Sequence, residues 1–239
     1  MKTILKQQVK KILAQAGYEV SRITKSSADL LLGLKGLDIK SIIDIGSNEG
    51  QFAKYILSIF PDAHLYCFEP LPLFFNKLSS WAQANKNISV FNCAIGDRNE
   101  IGTMFYHTED SVSSSLLKST VVCENLYPST RNKVLIPTKI ATLDSVISSL
   151  ATPIIPDVLI KLDVQGFEDR VIRGGKITFS KAKACIVEIN LDKLYDGQPT
   201  FYDILMLFSD LGYVYSGNLE QRYANDGHVV WVDAVFKKI

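Results

Sequence analysis

From Ser41 onward the chain alternates short runs that are apolar at nearly every position with stretches whose apolar residues recur at helical spacing. The runs at Ser41–Ile45, His64–Phe68, Ile88–Cys93, Val134–Ile140, Asp157–Asp163 and Ala184–Ile189 predict strands. Glu49–Ile59, Pro72–Ala84, Leu143–Leu150, Phe167–Arg173 and Thr200–Leu211 predict helices, with Pro61 and Gly212 as stop signals. Fully apolar strands alternating with helices imply a parallel sheet covered on both faces. Two further β-like runs, Tyr213–Tyr215 and Val229–Phe236, predict a closing hairpin and hence an antiparallel strand at or near an edge. Gly96–Arg131 is polar, with a serine cluster and short β-like pieces.

Ahead of this pattern, Ile4, Leu5, Val9, Ile12, Leu13 and Ala16 repeat at helical spacing, with Lys2, Lys6 and Lys10 on the polar side. The simpler reading is a helix packed on the domain; the sharper one is a lid or a patch for an anionic partner. Ser26–Gly36 predicts a second short helix. No internal repeat and no linker rich in Gly, Ser or Pro divides the chain. The expectation is one domain over residues 1–239, an N-terminal helical segment (1–40) ahead of a core (41–239).

A chain of 239 residues can bury a full α/β core. With 26 Lys+Arg against 25 Asp+Glu, no large field points to a nucleic acid. Cys67, Cys93, Cys123 and Cys185 form no C-x-x-C pair, and three lie in strand-like runs, which suits buried thiols and a cytoplasmic setting. Lys6, Lys10 and Lys11 interrupt the N-terminal apolar residues, so neither a signal-peptide core nor a membrane span is expected.

The stretch "IIDIGSNEG", Ile42 to Gly50, carries the first chemistry. In a doubly wound sheet, ligands sit beyond the carboxyl ends of the strands. Gly46 and Gly50 let the backbone turn and approach a ligand closely. A dinucleotide fingerprint would read G-x-G-x-x-G and offer amides to a pyrophosphate. This turn reads G-x-x-x-G and carries Asp44 and Glu49, which repel phosphates. The next strand ends in "YCFEP", where Glu69 is placed to accept ribose hydroxyls. A nucleoside without phosphates but with a cationic amino-acid arm satisfies both acids, and S-adenosylmethionine is such a molecule. The structural alternatives are an N-cap or a lysine partner for Asp44 and a solvated strand end for Glu69.

The order of motifs resembles the FkbM family of S-adenosylmethionine-dependent methyltransferases. The matching pieces are "DIGSNEGQF" (Asp44–Phe52), "FEP" (Phe68–Pro70), "NCAIGD" (Asn92–Asp97) and "SVSSSL" (Ser111–Leu116). They continue with "TLDSV" (Thr142–Val146), "IKLDVQGFEDRVIRGG" (Ile160–Gly175) and "VEIN" (Val187–Asn190). The resemblance implies a class I methyltransferase fold: a Rossmann-like, doubly wound, mostly parallel seven-stranded sheet with an antiparallel C-terminal strand. It implies O-methylation of a hydroxyl on a small molecule or carbohydrate. It also implies that Asp44, Gly46, Ser47, Asn48 and Gly50 line the methionine arm, that Glu69 and Pro70 lie at the ribose, and that Ala94, Ile95 and Asp97 flank the adenine. Ser113, in the serine cluster, and Asp163 then lie near the reacting centre. Gln165 stands where many relatives have an acid, which makes it a poor general base.

An alcohol must lose its proton to be methylated, so a base or a metal is expected. Asp163, Glu188 and His228 are the candidate bases. Asp163 ends the "IKLD" strand, and its structural alternative is a cap for the turn at Gly166. Glu168 opens a helix, where an acid suits the dipole. His228 reaches the ligand edge if the penultimate strand is parallel and the loop Ser216–Gly227 emerges there. Asp163, Glu188 and Asn190 offer hard oxygen ligands to Mg²⁺, but the sequence does not demand a metal. An NAD-dependent dehydrogenase and a non-catalytic nucleoside-binding module of the same fold are the rival readings. The acceptor and the formation of a homo-oligomer cannot be read from the pattern.

Overall fold

The computed structural model describes residues 11–13, 15 and 31–238. Most of the expected N-terminal helix therefore lies outside the described residues, as does the first part of Ser26–Gly36. The described remainder, Leu31–Gly36, is a kinked 3₁₀ turn rather than a helix, because Leu32 and Gly33 take positive φ (46° and 83°). Its Leu31 and Leu34 are buried against the core.

In chain order the elements are β1 (Ser41–Ile45), α1 (Gln51–Ile59), β2 (His64–Phe68), α2 (Pro72–Ala82), β3 (Ile88–Phe91), β4 (Ala94–Gly96) and β5 (Glu100–His107). There follow α3 (Val121–Leu126), β6 (Lys133–Thr142), α4 (Leu143–Ser148), β7 (Val158–Leu162), α5 (Glu168–Gly174) and α6 (Lys176–Lys181). The chain closes with β8 (Ala182–Asn190), α7 (Phe201–Asp210), β9 (Tyr213–Tyr223) and β10 (Val229–Lys238). Local signals explain several boundaries. Pro72 opens α2, and Thr200 starts α7 with a capping box to Asp203.

The main sheet has seven strands in the order β3-β2-β1-β7-β8-β10-β9. All adjacent pairs are parallel except those of β10, which runs antiparallel to both β8 and β9. The antiparallel strand is thus second from the edge. Its hairpin partner β9 takes the edge and is much longer than Tyr213–Tyr215. Beyond Tyr215 no residue of the strand is fully buried, so no apolar alternation marks it. Val134–Ile140 does not enter this sheet: β6 pairs with β4 and β5 in a separate three-stranded sheet, β4-β6-β5.

Side chains alternate between the faces of a strand, and that rule builds both the core and the site. Ile43, Ile45, Ile160, Leu162, Cys185 and Val187 enter one core. Their neighbours Ile42, Leu65, Cys67, Leu159, Ala184, Ile186 and Val235 enter the core on the other face. Continuing that second series toward the carboxyl edge gives Asp44, Glu69, Lys161, Asp163, Glu188 and Asp233. One face therefore changes from apolar to charged at the carboxyl ends of β2, β1, β7 and β8, where the strand order reverses and ligands bind in open α/β sheets.

Candidate active site

The turn after β1 holds three residues with left-handed backbone, Gly46 (φ 88°), Asn48 (φ 45°) and Gly50 (φ 81°). The Gly46 and Ser47 amides both donate to the Phe68 carbonyl at 3.0 Å, which ties the turn to β2. Gly46 also passes directly against the end of β7: a Cβ there would lie 1.9 Å from the Asp163 carbonyl oxygen. Gly50, not Asp44, is the N-cap of α1.

Asp44 is 1% exposed, and among the described residues its Oδ2 has no hydrogen-bond partner. Burial raises its pKa to about 7 against the opposing pull of Ser47 and Lys161. Glu69 is 4% exposed and is not a solvated strand end. Its Oε2 accepts the Asn48 amide and its Oε1 the Leu71 amide, each at 2.8 Å. Burial raises its pKa too, to about 7, although both amides favour the charged form. A carboxylate offers about four acceptor positions, so each Glu69 oxygen keeps one for a ligand.

A cavity of about 260 Å³ opens here, walled by Asp44, Gly46, Ser47, Asn48, Glu69, Pro70, Ala94, Ile95 and Asp163. Phe68, Met104, Leu116 and Phe167 supply apolar surface to the same space. Gly50 and Asp97 are not in its wall. Gly50 sits behind it against Leu78, and Asp97 is paired with the exposed Arg98 at 3.4 Å.

A second cavity of about 300 Å³ lies beside the first and is lined by Ser113, Gln165, Glu188, Tyr195, Arg222 and Trp231 among others. Asp163 borders both cavities. Its Oδ2 lies 3.4 Å from the Lys161 ammonium, and its Oδ1 accepts from Gln165 Nε2 at 2.8 Å. The same Gln165 nitrogen donates to Glu188 Oε1 at 2.6 Å, and Lys161 also donates to Asp233 Oδ1 at 3.0 Å. Burial acts to neutralise Lys161, but Asp163, Asp233 and Glu188 outweigh it and raise its pKa. Glu188 is held well above the usual carboxylate range, first by burial and then by Asp163.

Asp163 does not cap the turn at Gly166. Glu168 does that, its Oε1 accepting the Val164 amide at 3.3 Å and the Gly166 amide at 3.1 Å. β9 does run parallel to β8, but His228 lies in the wall of neither cavity. It is exposed and bonded to Asp226 and Asp192 at 2.5 and 3.0 Å, and these bonds raise its pKa. Lys161, Asp233 and Tyr195 were not among the residues read from the sequence. The one signal for Lys161 is a lysine inside an otherwise apolar buried strand, where a charge requires partners.

The methyltransferase FkbM domain model matches residues 44–215. The chain belongs to the FkbM methyltransferase family. A relative within reach of direct alignment, the 2-O-methyltransferase NoeI of Sinorhizobium fredii (strain NBRC 101917 / NGR234), is 33% identical over 173 residues, 70% of each chain. Among solved structures, SMU.1697c of Streptococcus mutans, in complex with SAH, has a TM-score of 0.48 at 12% identity over 92% of this chain and 99% of that one. An rRNA methylase from Streptococcus thermophilus has a TM-score of 0.47 at 10% identity, with 93% and 99% covered. The seven-stranded sheet, with β10 inserted antiparallel between β8 and β9, is the class I arrangement expected of this FkbM methyltransferase. Among the described residues no helix is long and apolar enough to cross a membrane.

Proposed function

We propose that this FkbM-family enzyme is an S-adenosylmethionine-dependent O-methyltransferase that acts on a hydroxyl of a small molecule or carbohydrate. The observation that carries the reading is the buried Asp44 carboxylate, whose Oδ2 lacks a partner among the described residues and lies in a cavity shared with Glu69. An unpaired buried carboxylate is costly, and a ligand ammonium would complete it. Glu69 would accept the ribose hydroxyls, and Ala94 and Ile95, with Met104 and Phe167, offer apolar surface to the adenine. The acids and the absence of a G-x-G-x-x-G turn disfavour a dinucleotide.

S-adenosylmethionine supplies a methyl group activated by a positively charged sulfonium. The chain supplies orientation, exclusion of water and a base. The second cavity would hold the acceptor, with its hydroxyl at the Asp163 boundary. Asp163 takes the hydroxyl proton while Lys161 and Gln165 hold its two oxygens. Glu188 stands beside it as the reserve proton acceptor. The name of the relative NoeI, a 2-O-methyltransferase, supports a hydroxyl acceptor.

Calorimetry tests the reading. S-adenosylhomocysteine should bind and NADH should not; the reverse would make the chain a dehydrogenase-like binder. Glu69→Ala should weaken S-adenosylhomocysteine by at least about 1 kcal/mol. Because Glu69 also holds two backbone amides, the melting temperature of the variant must be read alongside. Unchanged affinity in folded protein would remove Glu69 from the ribose role.

A pH dependence follows from the two raised carboxyls. Free Asp44 and Glu69 hold protons up to about pH 7, and a bound ammonium favours the charged form of Asp44. Binding therefore releases a proton, and S-adenosylhomocysteine affinity should rise between pH 6 and 8 by up to about tenfold per unit. The ligand-free fold has the opposite dependence. It binds protons that the unfolded chain has already lost, so these groups contribute stability that declines from about pH 4 to about pH 7. Melting curves with and without ligand at pH 6 and pH 8 measure both, and a ligand-induced shift that shrinks with pH would contradict the charged role of Asp44.

A further inference from the structure

Gln165 is the most constrained residue between the two cavities. It takes φ 56° and is followed by Gly166 at φ 93°, a left-handed backbone that a non-glycine residue holds only when its surroundings enforce it. The surroundings do so at every polar atom of its carbonyl and side chain. Ser115 Oγ donates to its carbonyl at 2.7 Å. Tyr195 Oη lies 2.8 Å from its Oε1. Its Nε2 spans to Asp163 Oδ1 at 2.8 Å and Glu188 Oε1 at 2.6 Å.

The orientation of this amide is determined by its partners. Gln165 Nε2 has two N–H donors, one for each carboxyl. That leaves Oε1 facing the Tyr195 hydroxyl, whose one proton lies within reach of both Oε1 and the Ser113 carbonyl. Rotating the amide by half a turn would aim its oxygen at the two carboxyls and lose both bonds from Nε2. Tyr195 is itself fixed: it is 1% exposed, its backbone forms a bridge to Ser119, and its hydroxyl also reaches the Ser113 carbonyl at 2.9 Å. The Cβ of Tyr195 lies 3.1 Å from where a Cβ on Gly166 would sit, so the turn is packed on the tyrosine.

We propose that Gln165 and Tyr195 are positioning residues, in which the Gln165 amide clamps the Asp163 and Glu188 carboxylates at the boundary of the two cavities and Tyr195 sets the direction of that amide. The inference rests on the reading of Asp163 as the group that faces the acceptor hydroxyl. Gln165 has no proton to give or take in the reaction. Its contribution is to bridge two carboxyls that unsettle one another, and to fix one Asp163 oxygen while Lys161 holds the other. Lys161 and Asp233 also face Glu188, and Lys161, Asp44 and Glu168 face Asp163.

The test uses the ligand-free chain with its side-chain carboxyls labelled with ¹³C, as wild type, Gln165→Met, Tyr195→Phe and the double variant. Donation to a carboxylate favours its charged form. Removing the donor in Gln165→Met should therefore move the titration of Glu188, which Gln165 now lowers, upward by about one pH unit. Tyr195→Phe should move it in the same direction by less, and the double variant should match Gln165→Met alone. S-adenosylhomocysteine affinity should stay within about twofold of wild type throughout, since neither residue lines the first cavity. An unchanged titration in folded Gln165→Met overturns the clamp, and a fully additive double variant overturns the part assigned to Tyr195. Should Gln165→Met not fold, Tyr195→Phe, which keeps the buried ring, decides the question by its own titration. Failure of the wild type to bind S-adenosylhomocysteine would overturn the proposed function instead and leave the titration result standing.

Discussion

Asp163→Asn is expected to lower single-turnover methyl transfer by roughly 10²-fold or more and to leave S-adenosylhomocysteine affinity near that of the wild type. The substitution keeps the shape of the side chain and removes its capacity to accept a proton. Affinity should survive because the two carboxylates proposed to hold the cofactor, Asp44 and Glu69, belong to β1 and the end of β2, and Glu69 keeps both of its backbone amides. Turnover should fall because Asp163 is the carboxylate that borders both cavities. Glu188 borders only the second and is held toward its neutral form, so it replaces Asp163 poorly at neutral pH. Stability is the control. Glu168, not Asp163, caps the following turn, so the melting temperature should change only through the bonds to Lys161 and Gln165. A variant that loses melting temperature while its turnover per folded molecule stays intact would make Asp163 structural. The assay takes its hydroxyl acceptor from a screen of glycosides and polyols.

Much of this arrangement is legible along the chain. Strand ends are recorded in local pattern: an apolar run followed by an acid or a glycine marks Asp44, Glu69 and Asp163 wherever the sheet places them. The placement of Ser113 and Glu188 in a second cavity is not local. It depends on how the serine loop folds back over the turn at Gln165. Lys161 illustrates the limit most clearly. It sits in register with Asp44 on the neighbouring strand, but its partner Asp233 is 72 residues away and comes opposite Glu188 only when β10 inserts antiparallel. Most of β9, with β4 and β5, is less legible for a related reason. Burial there does not follow hydropathy: Ile101, Val214 and Tyr223 are exposed, as are Val134 and Leu135 on β6, while Thr138 is buried, so backbone pairing rather than an apolar period holds these strands. His228 shows the converse case, since the strand direction assumed for it is the observed one while its side chain turns to two surface acids.

The turn after β1 offers the second large effect. Gly46→Ala should abolish detectable S-adenosylhomocysteine binding and remove about 3 kcal/mol or more of stability. Two independent costs combine there. At φ 88° an L side chain is strained whatever space surrounds it. The added Cβ would also lie 1.9 Å from the Asp163 carbonyl oxygen, a backbone atom that no rotamer change can move aside. Relief requires β1 and β7 to separate at the ends where Asp44 and Asp163 stand, so one methyl group displaces a cofactor-facing and an acceptor-facing carboxylate together. Gly36→Ala is the matched control, because no atom of the described residues lies within 4 Å of a Cβ at Gly36, and it should change stability by no more than about 0.5 kcal/mol. Thermal melts and calorimetry on the two variants separate the outcomes. If Gly46→Ala keeps both its melting temperature and its affinity, the close approach of the two strand ends is not what builds this site.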